Sequence, residues 1–265
     1  MPDIDRLCED LRAEHRALDE IVGPLSSSDW DVMTPAPTWT VRDQISHLCF
    51  FDAAAHQAVT DPQGFIASLE RAAADIDGYM NGPLERGRTL PSAQVLAEWR
   101  TGSEAMLDGF LQADPTIRVP WYGPPMSLGS FISARLMETW AHGQDIADAV
   151  GVQRQPTDRL KHVAHLGVRA RPYSYVVNNK DQPAGDVRVE LTAPSGEPWT
   201  WGDSATDVVS GSALSFCLVV TQRRHPADTD LQIRGQLAKE WISIAQCFAG
   251  PPGTGRLPGQ FESSR

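Results

Sequence analysis

The chain has 265 residues, of which 41% are hydrophobic and 22% charged, and its formal net charge is −11. This length allows one large domain or two modest ones, each with its own core. The negative charge repels phosphate backbones and the basic residues are scattered, so we expect no nucleic-acid partner. No apolar run approaches the ~20 residues that cross a bilayer, so we expect no membrane partner.

The cysteines are far apart in the sequence and form no Cys-x-x-Cys pair: Cys8, Cys49, Cys217 and Cys247. They are therefore predicted to be buried thiols rather than disulfides or a zinc ribbon. The N-terminus lacks the basic-then-apolar order of a secretory signal, and we expect a cytoplasmic protein. Cys49 lies two residues after His47 and is a minor candidate for a site thiol.

The first half of the chain has the apolar spacing of four long helices. Their predicted starts, in chain order, are at Asp3, Thr40, Ser92 and Ser127, and the fourth ends near Gly151. Four amphipathic helices in this length predict a bundle over residues 1–152. Residues 61–90 are expected to be looser, with one short helix near Phe65–Ile76 and glycine and proline breaks at 82–91. Residues 113–126 contain four prolines and cannot be helical throughout.

Residues 157–250 have a different pattern, which predicts an α+β domain. A helix over Thr157–Val176 precedes the alternating strand Val187–Leu191, and Trp199–Trp201 is predicted to return beside it. The remaining predicted elements are a helix capped by Thr206, a short strand Leu231–Ile233 and a last helix Leu237–Phe248. Residues 251–265 are rich in glycine and proline and are expected to form a flexible tail.

Glu138 and His142 lie four residues apart on the fourth predicted helix, and therefore on one face of it. That face is otherwise apolar, and burying an unpaired carboxylate costs at least several kcal/mol unless a cation or hydrogen bonds compensate. The alternative is an ordinary Glu–His hydrogen bond at a helix surface.

His47, on the second predicted helix, would complete a His₂Glu set if it faced this pair. Three protein ligands with a fourth position open are typical of a catalytic zinc site, and nickel or ferrous iron could use the same ligands. The alternative for His47 is a core histidine. His15, on the apolar face of the first helix, is the other candidate ligand.

Other residues are candidates for supporting roles. Asp43 or Asp145 could orient a ligand imidazole, although both could equally be helix-surface acids. Arg135 is a candidate catalytic residue that would anchor a substrate carboxylate, with an intrahelical ion pair as the alternative. Trp121 and Tyr122 are candidate cofactor-binding residues that would form a lid, with plain loop packing as the alternative.

Two segments carry a family resemblance: Thr38-Trp39-Thr40-Val41-Arg42-Asp43 through His47-Leu48, and Glu138-Thr139-Trp140-Ala141-His142-Gly143-Gln144-Asp145. Together they resemble the DinB-like metalloprotein superfamily and, within it, the mycothiol-dependent maleylpyruvate isomerase group. The resemblance covers nearly the whole chain, including 211–213 and 224–228. It implies an α plus α+β architecture, in which a DinB-like four-helix bundle precedes a small sterol-carrier-like α+β domain.

The resemblance also implies a set of functional residues. His47, Glu138 and His142 would bind a divalent metal, with zinc expected. Arg224 matches the arginine of a Gly-Arg-x-Pro motif that serves the thiol cofactor, and would be both a catalytic and a mycothiol-binding residue. Arg223 stands where that motif has glycine.

The function that follows is a metal-dependent enzyme in which mycothiol is activated for isomerisation or S-transfer on a small electrophile. Its partners would be this small-molecule thiol and the electrophilic substrate. The sequence is also compatible with a homodimer. The alternatives are a non-catalytic, metal-containing protein that binds a small molecule, and a hydrolase that uses metal-bound water.

Overall fold

The structure is a computed structural model that describes residues 3–261, and it divides into two compact units between Arg154 and Gln155. Residues 262–265 of the predicted tail lie outside the described residues. Among residues 3–261, none of the helices combines the length and the apolar character that a bilayer span requires.

The first unit is helical. Its helices are α1 (Ile4–Val22), α2 (Val41–Thr60), α3 (Pro62–Ala74), α4 (Ile76–Thr89), α5 (Ser92–Gln112) and α6 (Leu128–Val150). Helices α1 and α2 each pack against both α5 and α6, and they enclose a core that includes Leu18, Ile45, Leu48, Trp99 and Ile146. The predicted four-helix bundle is confirmed.

Local hydrogen bonds fix the starts of the two helices that carry the candidate ligands. Thr40 and Asp43 form a capping box, in which the Thr40 hydroxyl accepts from the Asp43 N–H and the Asp43 carboxylate accepts from the Thr40 N–H. The Ser127 hydroxyl accepts from the Ser130 N–H at the start of α6. Gly151 ends α6 with φ 69°, a conformation that glycine adopts without strain.

The short helix predicted near Phe65–Ile76 is present as α3, but the looser stretch with breaks at 82–91 was wrongly predicted, because α4 continues through Gly82 and Pro83 to Thr89. Each starts at an aspartate whose carboxylate accepts from a glycine N–H three residues later: Asp61 from Gly64, and Asp75 from Gly78. Pro83 lies inside α4, where it removes one backbone donor without ending the helix.

Two short strands interrupt the chain between α5 and α6, as the prolines there required. They are β1 (Arg118–Val119) and β2 (Met126–Ser127), which pair antiparallel. The loop between them carries Trp121 and Tyr122.

The second unit is α+β, as predicted. Its elements are α7 (Leu160–Arg169), α8 (Arg171–Val177), β3 (Arg188–Thr192), β4 (Pro198–Trp201), β5 (Val208–Ser212), α9 (Ala213–Val220), β6 (Gln232–Arg234) and α10 (Gln236–Ser243). The sheet order is β4-β3-β5-β6, in which β3 is antiparallel to β4 and parallel to β5, and β5 is antiparallel to β6. The predicted hairpin of β3 and β4 is confirmed.

Three details of this unit differ from the sequence prediction. The first helix is split at Ala170, two residues before Pro172, because a proline disfavours continuation of the helix through the residues that precede it. The chain after Thr206 forms β5 first, and the helix expected there is α9, which begins later, at Ala213. Ser212 caps it, with a hydroxyl that accepts from the Ser215 N–H. The last helix ends at Ser243 rather than near Phe248.

Candidate metal centre

Helix α2 places His47 beside the aromatic ring of Phe51, one turn further along the same helix, with ring centroids 4.5 Å apart. Ile45 and Leu48, on either side of His47 in the sequence, are fully buried in the core. This burial fixes the rotation of α2 about its axis. The imidazole of His47 is consequently directed away from the core residues and toward α6.

Helix α6 carries Glu138 and His142 on one face, as the spacing predicts. The Nε2 atom of His142 lies 3.1 Å from Oε2 of Glu138. The Nε2 atom of His47 lies 3.8 Å from the same oxygen. The structure thus brings the three predicted residues together, with one potential ligand atom from each within 4.8 Å of the others.

The electrostatics of the triad favour the forms that bind a metal. Burial and the neighbouring His142 lower the pKa of His47 to about 4, so this imidazole is neutral at pH 7. Burial opposes the charge of Glu138, but hydrogen bonds with His142 and His47 outweigh it and hold the pKa of this carboxyl well below its usual range. A neutral imidazole and an ionised carboxylate are the forms in which His47 and Glu138 can bind a divalent cation.

A buried hydrogen-bond chain lies behind His142. The Thr34 hydroxyl donates to the Trp39 carbonyl oxygen (2.8 Å), and the Gln44 side-chain amide donates to the Thr34 oxygen (2.9 Å). Oε1 of Gln44 then lies 2.5 Å from Nδ1 of His142. The ring of Trp39 stacks on that of His142, with centroids 5.8 Å apart and planes 14° apart.

The geometry and chemistry of these donors fit a divalent metal ion. Ligand atoms about 2.0–2.2 Å from a tetrahedral ion lie about 3.3–3.6 Å from one another, between the measured separations of 3.1 and 3.8 Å. Because Oε1 of Gln44 can only accept, Nδ1 of His142 carries a proton, and in a metal-bound centre Nε2 of this ring would supply its lone pair to the ion. A divalent ion bound between Nε2 of His142 and the Glu138 carboxylate would use both as ligands.

Residues 11–147, just over half of the chain, match the family model described as the mycothiol maleylpyruvate isomerase N-terminal domain. The chain belongs to this family. The predicted relationship is confirmed, and the matched residues include all three members of the triad.

Relatives and solved structures extend this result. Two Mycobacterium tuberculosis proteins, named Uncharacterized protein MT0041 and Uncharacterized protein Rv0036c, are each 45% identical over 257 residues, which is 97% of this chain and 100% of theirs. The crystal structure of the mycothiol-dependent maleylpyruvate isomerase matches with a TM-score of 0.57 and 13% identity, over 84% of this chain and 90% of that one. A histidine-to-alanine mutant of that enzyme gives the same values. At this identity the match shows a shared fold of helical and α+β parts.

The structure places Arg135 in a buried ion pair. Its guanidinium donates to Oδ1 of Asp52, on α2, at 2.8 and 3.3 Å. The two side chains are only 4% and 0% exposed. The pair is between helices rather than within α6, and it leaves the guanidinium bound to a carboxylate of the protein itself.

Trp121 and Tyr122 belong to an aromatic cluster that reaches the triad through Phe51. Trp121 stacks on Phe65 with centroids 5.4 Å apart, and both loop residues contact Phe51, which packs on His47. The hydroxyls of Tyr122 and Tyr79 are hydrogen-bonded at 2.7 Å. Burial, followed by this hydrogen bond, raises the pKa of Tyr122, so it remains a neutral phenol.

Arg224 lies in the second unit and lines a cavity of about 340 Å³ there, together with Lys239 and Arg256. Its guanidinium lies 3.8 Å from the centre of the Phe261 ring and donates to the carbonyl oxygen of Arg223. Three basic side chains around one cavity make it suited to an anionic or strongly polar ligand.

Sequence reasoning missed Gln44, whose side-chain oxygen lies against Nδ1 of His142. Asp43 instead accepts two hydrogen bonds from Arg88, at 2.8 and 3.0 Å. His15 is buried against Trp99 and is not part of the triad. Gln44 has no sequence signal of its own, because its partner lies on another helix.

Proposed function

We propose that the protein is a cytoplasmic enzyme that binds a divalent metal, with zinc expected, through His47, Glu138 and His142, and that it uses mycothiol for isomerisation or S-transfer on a small electrophile. The convergence of two imidazole nitrogens on one carboxylate oxygen, at 3.1 and 3.8 Å, carries this proposal. Membership of the mycothiol maleylpyruvate isomerase family supports the choice of thiol.

A metal held there would supply Lewis acidity to a coordinating thiol, and the thiol would supply reversible addition of sulfur to a conjugated double bond. The protein's own residues prepare the site for this chemistry. His47 is neutral, and Glu138 is ionised despite its burial. The rings of Trp39 and Phe51 cover the imidazole of His47 and limit the access of water to it. Limited water strengthens the electrostatic interactions of the site.

Other residues have proposed supporting roles. Trp121 and Tyr122 would form an apolar wall for the thiol or its substrate, because the aromatic cluster that contains them is continuous with Phe51. Arg224 keeps its proposed role in mycothiol binding, which the family motif supports and which the basic lining of its cavity in the second unit fits. Arg135 would act through Asp52, and a direct contact with substrate would require this ion pair to open.

Elemental analysis tests the metal ligands. The purified native protein should contain about one divalent metal per chain, and His47→Ala and Glu138→Ala should each lose it while remaining folded by circular dichroism. His15→Ala is the matched control and should keep the metal. Metal retained in a triad variant would remove that residue from the ligand set, and metal lost from His15→Ala would add His15.

Cobalt substitution tests the thiol. Mycothiol added to the Co²⁺ protein should produce a sulfur-to-metal charge-transfer absorption, whereas S-methyl mycothiol should not. At about 100 times its Kd, mycothiol should also stabilise the protein by about 2.7 kcal/mol. A metal-loaded protein that shows neither change would contradict the proposed cofactor.

A further inference from the structure

In the buried row of hydrogen bonds behind the triad, Gln44 is the residue that contacts His142, a proposed metal ligand. It is fully buried, and it joins His142 on α6 to Thr34 in the loop before α2. This loop is closed by a bridge between Met33 and Thr40 and by the Thr34 N–H, which donates to the Trp39 carbonyl oxygen at 2.8 Å. Backbone hydrogen bonds therefore fix the position of Thr34, at the end of the hydrogen-bond row that lies away from His142.

The direction of each hydrogen bond follows from the number of protons available. Thr34 has one hydroxyl proton, and it is donated to the Trp39 carbonyl oxygen. The Thr34 oxygen can then only accept, so the amide nitrogen of Gln44 must face it. The amide oxygen of Gln44 consequently faces His142 and accepts a proton from Nδ1.

This arrangement determines which nitrogen of His142 can bind a metal. A neutral imidazole carries one proton, and in metal sites the nitrogen that is not the ligand commonly donates to an outer partner. With the proton on Nδ1, the lone pair of Nε2 faces Glu138 and His47. Without an acceptor at position 44, the proton would move to Nε2 and be donated to Oε2 of Glu138, 3.1 Å away. A proton on Nε2 would prevent that nitrogen from binding the metal.

We propose that Gln44 is a positioning residue that fixes the Nδ1–H tautomer of His142 and thereby sets the affinity of this centre for a divalent metal. The inference takes its ligand set from the proposed function and adds the group that prepares one ligand. Trp39, stacked on the face of His142, assists by fixing the plane of the ring. Outer partners of this kind change metal affinity by about 10- to 100-fold when they are removed.

The test compares native protein with Gln44→Leu, Gln44→Glu and Gln144→Leu. Leucine fills the volume of Gln44 but accepts no hydrogen bond, whereas glutamate keeps the acceptor. Gln144→Leu is the matched control, because Gln144 is also buried on α6 but donates to Asp148 at 2.9 Å. The zinc dissociation constant is measured by competition with a chromophoric chelator, and the His142 tautomer is read in metal-free protein from imidazole ¹⁵N NMR shifts.

Gln44→Leu should weaken zinc binding by about 10- to 100-fold, and its His142 should show the Nε2–H pattern. Gln44→Glu and Gln144→Leu should keep the native tautomer and bind zinc at least as tightly as native protein, within experimental error. The inference is overturned by native affinity or an unchanged tautomer in Gln44→Leu, or by a loss in Gln44→Glu as large as that in Gln44→Leu. Native protein that binds no divalent metal would instead remove the proposed function, and this inference with it.

Discussion

The ion pair between Asp52 and Arg135 ties α2 to α6 inside the first unit and offers a quantitative test of its packing. Both side chains are almost completely buried. Oδ2 of Asp52 has no hydrogen-bond partner among the described residues, so the guanidinium is the main compensation for this carboxylate. Asp52→Asn keeps the shape of the side chain but leaves the charge of Arg135 unpaired. Loss of one partner from a buried pair costs about 3–5 kcal/mol.

Urea and thermal unfolding of the metal-free protein measure this cost, with the transition of the first unit followed separately because a chain of two units need not unfold in one step. Each kcal/mol shifts the melting temperature of a domain this size by about 2–4 °C, so Asp52→Asn should lower it by about 6–20 °C. Glu98→Gln is the control. It breaks an exposed pair with Arg86 and should cost at most about 1 kcal/mol. A loss in Asp52→Asn no larger than that of the control would refute the reasoning.

Three further predictions concern the first unit. A chelator should lower the melting temperature of metal-loaded native protein but leave that of His47→Ala unchanged. The reason is that bound metal stabilises only a protein that can bind it. Equal shifts in the two proteins would contradict the ligand assignment. The hydrogen bond from Arg86 lowers the pKa of Glu98 from 4.5 to about 2. The pair therefore contributes its full share of the unfolding free energy above pH 4.5, and this contribution disappears as the pH falls toward 2. The difference in unfolding free energy between native protein and Glu98→Gln, at most about 1 kcal/mol, should therefore shrink over that interval, and a constant difference would argue against the pair. Ser127→Ala should lower the unfolding free energy by about 1 kcal/mol through loss of the α6 cap, and Ser127→Asp, which keeps an acceptor, should restore most of it.

The parts of the fold that sequence predicted were those specified by local signals. Thr40 and Ser127 predict the starts of α2 and α6, because each hydroxyl accepts a hydrogen bond from a backbone N–H in the first turn of its helix. The hairpin of β3 and β4 follows from alternating apolar residues around a turn. Helix α4 was missed because Gly82 and Pro83 suggest a break, yet the Asp75 cap and the packing of α4 against α2 maintain the helix. Strand β5 was missed because its short apolar run is stabilised by pairing with β3 and β6, which are distant in sequence.

The same distinction applies to the candidate centre. The positions of Glu138 and His142 on one face follow from helical geometry alone. The approach of His47 required the family resemblance, because helical spacing says nothing about which faces of two helices meet. The environment of Arg135 and the role of Gln44 depend on partners 83 and 98 residues away, and no local pattern encodes them.

The separation of the triad along the chain has a consequence for biosynthesis. On the proposed ligand set, His47 leaves the ribosome roughly 90 residues before Glu138, which at about 5–20 residues per second is a delay of roughly 5–18 s. During that delay the nascent chain offers only one of the three proposed ligands, too few to retain an ion against cellular competitors. The choice of metal is therefore made after translation of α6, by the assembled bundle and whatever ion the cell then supplies.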